Sequence, residues 1–155
     1  MKTLLSTLFV IAAAANLAMA ADKPDFSGDW KMDADKSTFG PIPAPTSMTR
    51  KIEHKEPSLT VATVAVSPAG DQNTSAKYMT DGTETTNSMM GSDIKSKARW
   101  DGKTLLIDSA GNFGGADIKV GNKWSLSDDG KVLTDVMSIS TPQGDFEMTY
   151  VLNKQ

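Results

Sequence analysis

The chain has 155 residues, no cysteine and a formal net charge of −3. Without cysteine it can hold no disulfide scaffold, thiolate metal site, cysteine nucleophile or acylated N-terminal cysteine anchor. A negative charge with no basic run leaves no electrostatic footprint for nucleic acid.

Residues 1–20, MKTLLSTLFVIAAAANLAMA, start with a charged Lys2, continue as an apolar run and end on the small-x-small triplet Ala18-Met19-Ala20. That order predicts a secretory signal peptide cleaved after Ala20, followed by a single secreted or periplasmic domain over residues 21–155. The apolar run is shorter than the roughly 20 residues a membrane-spanning helix needs, and no later stretch approaches that length.

The next segment, DFSGDWKM, reads as a strand in which Phe26, Gly28, Trp30 and Met32 share one face. Phe26 and Trp30 are expected inward, with Gly28 leaving room for the indole and Trp30 closing one end of the core. DADKSTFGPIPA follows. Its Asp33, Asp35 and Ser37 imitate a calcium loop, but Thr38 stands where that loop needs Gly and Ala44 where it needs Glu, so these residues are read as turn formers. Pro41, Pro43 and Pro45 forbid a helix and stiffen an extended crossing, which makes this segment either a lid over a cavity mouth or a rigid connector.

In MTRKIEHKE, Met48, Arg50, Ile52 and the only histidine, His54, share a parity. Beyond it, turn signals recur at Glu56-Pro57, Pro68 to Asp71, Asp81-Gly82, Gly91-Ser92, Asp101-Gly102, Gly111 to Gly115, Asp128 to Gly130 and Pro142 to Gly144. The intervening runs are rich in Thr, Val, Ile, Met and aromatics, a pattern of antiparallel strands joined by hairpins, ten in all after the leader. Three runs alternate strictly. Ile94, Ser96, Ala98 and Trp100 share a face in DIKSKARW, as do Ala116, Ile118, Val120, Trp124 and Leu126 in ADIKVGNKWSL, and Phe146, Met148, Tyr150 and Leu152 in DFEMTYVL. The acidic residues are read as falling mostly in turns or on the outward parity.

The fold class that results is all-β: an up-and-down antiparallel meander of 8–10 strands closing into a barrel, because one apolar face with no helix to cover it must bury itself. Thr74, Ser75, Ala76, Thr83, Thr85, Thr86 and Ser88 are too small to fill a ten-strand interior, which favours a cavity or a flattened barrel. By parity, Arg50, His54, Trp100 and Tyr150 are the candidate ligand contacts, Arg50 supplying charge for an acidic or carbonyl-bearing molecule.

The Phe26-x-Gly28-x-Trp30 start, with the Asp33-x-Asp35-Lys36-Ser37 turn and the proline-rich loop behind it, resembles the first strand of calycins, the group that holds lipocalins and fatty-acid-binding proteins. Within that group the chain is most similar to secreted bacterial lipocalin-like proteins. The resemblance implies a calycin barrel and a small apolar or amphiphilic ligand. The chain departs from lipocalins in ending YVLNKQ, without the Arg that packs over the motif Trp or a C-terminal helix. It departs from fatty-acid-binding proteins in having Met148-x-Tyr150 where they place an Arg-x-Tyr pair.

Catalytic patterns are not found: there is no Gly-x-Ser-x-Gly elbow, no locatable carboxylate pair and no metal set, so an enzyme is not expected. Nor is a cofactor, since the residues after Trp30 lack the Gly-rich pattern of haem-binding barrels. The leading expectation is a monomeric periplasmic or secreted binding protein for a small apolar or amphiphilic molecule. Its alternative is an envelope interaction module with a filled barrel and no ligand.

Overall fold

The computed structural model describes residues 22–155; the leader read at residues 1–20 lies outside them. Ten strands follow one another: β1 (Gly28–Met32), β2 (Ser47–Lys55), β3 (Ser58–Val66), β4 (Gln72–Met79), β5 (Thr85–Met89), β6 (Ser92–Asp101), β7 (Thr104–Phe113), β8 (Ala116–Leu126), β9 (Val132–Thr141) and β10 (Gly144–Lys154). No helix occurs among the described residues. All strands belong to one antiparallel sheet in the order β4-β3-β2-β1-β10-β9-β8-β7-β6-β5, so every neighbour is a hairpin partner except β1 and β10, whose pairing curls the meander round. This is the expected up-and-down barrel.

Closure differs from expectation in one place. Strands β4 and β5 end the sheet and share no ladder. The turn before β5 is tied to β6 instead, through the Gly82 N–H on the Ala98 carbonyl at 2.8 Å, which draws the five-residue β5 away from β4. One side chain spans the seam. Asn87 accepts the Lys77 N–H at 2.7 Å and donates to the Lys77 carbonyl at 3.0 Å, supplying two bonds of the missing ladder.

Strand β1 is short because the chain loops out at Asp33 to Ser37 and then returns, Thr38 exchanging two 2.8 Å bonds with Thr149 on β10. Asp33 accepts from Asn153, and Ser37 Oγ accepts from the Val151 N–H, which anchors the loop as a turn. The Gly111 to Gly115 signal also resolves more finely. Only Gly114 and Gly115 turn, both at positive φ, while Gly111 lies within β7, where a Cβ would collide with Ile94 Cδ1 on the neighbouring strand.

The inward parities pack the core at one end of the barrel. Phe26 and Trp30 are both buried, and the Trp30 indole donates to the Phe26 carbonyl at 2.9 Å. Phe26 stacks on Trp100 at 5.9 Å and meets Trp124 edge-on at 5.6 Å. Over the other side of Trp30 lies Lys154, its Nζ 5.4 Å from the ring centroid. A lysine at the end of β10 thus covers the Trp30 indole. Gly28 serves this contact and not the indole as expected: its φ is +138°, and a Cβ would fall 2.7 Å from Lys154 Cε.

Glu56, in the β2–β3 turn, ties that end shut. Its carboxylate accepts from Trp100 Nε1 at 3.0 Å, from His54 Nε2 at 2.9 Å, from Thr80 Oγ1 at 2.8 Å and from Lys23 Nζ at 3.4 Å. Because His54 Nδ1 accepts the Phe26 N–H, the ring proton resides on Nε2. Burial raises the Glu56 pKa, but the bonds from Thr80, His54, Trp100 and Lys23 together outweigh it and hold the carboxyl below its ordinary range.

This end of the barrel is open to two tests. Trp30→Ala should cost about 3–5 kcal/mol in urea unfolding, since it removes a fully buried indole and opens a large cavity where β1 closes the core; a loss under about 1 kcal/mol would show the indole to be dispensable. Glu56 is ionised more readily folded than unfolded, so its stabilisation is present above the unfolded carboxylate pKa and lost as pH falls through the lower folded one. Glu56→Gln should therefore lower stability at neutral pH and flatten the acid limb of the stability curve; an unchanged acid limb in denaturant titrations across pH would contradict the clamp.

Candidate functional site

Beyond the aromatic plug the barrel is not filled. A cavity of about 430 Å³ runs from a polar floor at Arg50, Asp135 and Tyr78 to a mouth bordered by Pro43, Pro45, Met89 and Phe113. Its volume lies within the range of small-molecule sites. The walls are apolar or small, with Val61, Ala76, Ile94, Ile107 and Val120 among them. Ser96 and Ser109 satisfy one another across the wall at 2.8 Å. Outside the barrel, a broader depression of about 940 Å³ crosses β6 to β10, but its rim is Lys95, Lys97, Lys119, Asp145 and Glu147 on the wet face, with no enclosed interior.

The floor is built by register. Asp135 on β9 stands opposite Tyr150 on β10 and Trp124 on β8, while Arg50 on β2 reaches across the interior to it. Arg50 Nη1 donates to Asp135 Oδ2 at 2.7 Å, with both side chains buried. Asn122 donates to the other carboxylate oxygen at 2.8 Å. The guanidinium lies between two rings, 5.5 Å from the Trp124 centroid and 5.4 Å from that of Tyr150. A buried pair of this kind repays its desolvation only when its remaining groups are hydrogen-bonded, and Asn122 does this for the acid. Removing one partner would leave an uncompensated charge in the core.

Both tyrosines of the floor are pushed above the ordinary phenol range, by burial first, with the Asp135 charge adding to it and the Arg50 charge opposing. They present neutral hydroxyls to the cavity. The Trp124 Nε1–H is buried and has no acceptor among the described residues, although its ring borders the cavity. Phe39, from the proline loop, packs edge-on against Tyr150 at 5.7 Å and so braces the floor from the loop side.

The four side chains that parity singled out divide between the two ends. Arg50 and Tyr150 line the cavity; His54 and Trp100 do not. The correction is one of depth: His54 and Trp100 do share the inward parity, but they lie on the far side of Phe26, bound to Glu56. Of the proline segment, Pro43 and Pro45 with Ile42 border the mouth, whereas Pro41 does not. Phe26, Gly28 and Trp30 close the opposite end. Asp135 was missed, since the acids were read as outward or in turns. The signal was present in VLTDVMSIS, where Leu133, Asp135, Met137 and Ile139 share a parity and only one of them is charged. No group of three or more metal-ligating side chains occurs among the described residues.

No protein-family model and no curated protein matches the sequence. The fold does have solved counterparts. Zebrafish ileal bile acid-binding protein, complexed with cholic acid, superposes with a TM-score of 0.61 at 18% identity, covering 84% of this chain and 98% of that one. A secretory abundant heat soluble protein from Ramazzottius varieornatus gives 0.60 at 15% identity, over 83% and 94%. A point mutant of the fluorescent protein UnaG gives 0.54 at 17% identity, over 83% and 95%. At these identities the likeness is one of fold alone: an antiparallel up-and-down β-barrel, here of ten strands.

Proposed function

We propose that the protein is a secreted or periplasmic carrier that holds one small apolar or amphiphilic molecule in its barrel, and that it is not an enzyme. The observation that carries this reading is the cavity itself, about 430 Å³ of space left between an aromatic plug and a proline-bordered mouth. A barrel kept only as a scaffold for its loops gains nothing from an unfilled interior, because empty volume forfeits dispersion contacts along every wall. Small residues at Ala76, Ser88, Ser109 and Gly111 keep the space open. The polar floor adds orientation, since an amphiphile entering tail-outward can set its head against Arg50, Tyr78 and Tyr150. That one structural counterpart is a bile acid-binding protein complexed with cholic acid supports the same reading by analogy of fold. The secreted or periplasmic setting rests on the leader at residues 1–20.

The test is saturable binding. Nile red should bind one site per chain with micromolar affinity, about −8 kcal/mol, and change tryptophan emission as it approaches Trp124. Ala76→Trp, which places an indole in the cavity, should abolish that binding while far-UV circular dichroism still shows the β-fold. Undiminished binding by this variant would move the dye to the surface and favour an interaction module over a carrier.

A further inference from the structure

The acid on the polar floor has both oxygens committed, and the guanidinium beside it has donors to spare. Asp135 receives Arg50 on one oxygen and Asn122 on the other. Of the five guanidinium N–H groups of Arg50, one is bound to Asp135 Oδ2, and the side chain lines the cavity. The Tyr78 and Tyr150 hydroxyls face the same space. A floor of this kind asks its ligand for acceptor oxygens.

It does not ask for a charge. Arg50 is already neutralised at 2.7 Å by Asp135, and no other basic side chain among the described residues lines the cavity. A ligand carboxylate that reached the guanidinium would lie beside the Asp135 carboxylate in a buried site, and two anions sharing one cation disfavour the ionised form of the second. Expelling Asp135 from the pair would instead leave that acid buried and uncompensated. We propose that the cavity selects neutral amphiphiles whose head carries a carbonyl or hydroxyl oxygen, and that Asp135 is the residue that rejects acids. This rests on the carrier reading above. It also reverses the preference for acidic ligands that Arg50 alone implies.

The experiment compares three competitors of the same chain length, dodecanol, methyl dodecanoate and dodecanoate, for displacement of Nile red from the full chain at neutral pH. The two neutral competitors should displace the dye at concentrations at least tenfold below the acid, a difference of about 1.4 kcal/mol. In Asp135→Asn the uncompensated guanidinium should welcome the acid, so the ratio should fall to unity or invert. Displacement by dodecanoate at equal or lower concentration than by the neutral pair would overturn the proposal and leave the carrier reading standing. An unchanged ratio in a folded Asp135→Asn would do the same. The ratio for the unsubstituted protein decides the matter if that variant does not fold. Absence of saturable Nile red binding by the folded protein would remove the carrier reading and this one with it.

Discussion

A sheet with one dry face and, among the described residues, no helix to lay over it has to cover that face with itself, and most of this structure follows from that constraint. The β1–β10 pairing is where it is met. Trp30 lies opposite Lys154 there and Met32 opposite Leu152, so the first and last strands join in register and bring the Phe26–Trp30 plug under the rest of the meander. Lys154 over the indole, and Gly28 making room for the Lys154 side chain, belong to the same joint. The seam between β4 and β5 is where that closure stops: the two strands end the sheet without a shared ladder, and Asn87 supplies two hydrogen bonds across the gap.

The two ends then take on different physics. One end is packed with aromatics and tied by Glu56, which is how an end of a small barrel is sealed without a helix. The other keeps its volume, since β4 and β5 offer Thr74, Ala76 and Ser88 where larger side chains would meet across the interior. Between the two lies a buried ion pair. Such a pair adds little net stability against an apolar core of the same volume. Its presence on a cavity floor, with rings on both sides of the guanidinium, is accounted for more simply by recognition than by stability.

The sequence was legible for most of what depends on local period and turn chemistry, Asp135 being the inward acid that the same alternation would have shown. Ten runs between turn signals became ten strands, and the strict alternation of DIKSKARW put Ile94, Ser96 and Ala98 inside. Arg50 was placed inward by the same rule. Errors occurred where a local rule was used for a non-local question. The glycines of 111–115 look alike in sequence, yet only Ile94 on the neighbouring strand shows why Gly111 belongs to a strand. His54 and Trp100 have inward parity, but parity gives a side and not a depth.

From the sequence by itself came the all-β class, the hairpin order and the face each residue takes, because a strand's side-chain period and a turn's need for positive φ are written within a few residues. Tertiary structure alone decided which inward residues share a level of the barrel. The shear between strands brings Arg50, Asp135, Trp124 and Tyr150 to one floor and carries His54 and Trp100 past the plug. Arg50 and Asp135 are separated by 85 positions in the chain. Their meeting depends on the register summed across β1, β10 and β9, and no single segment of the sequence contains that sum.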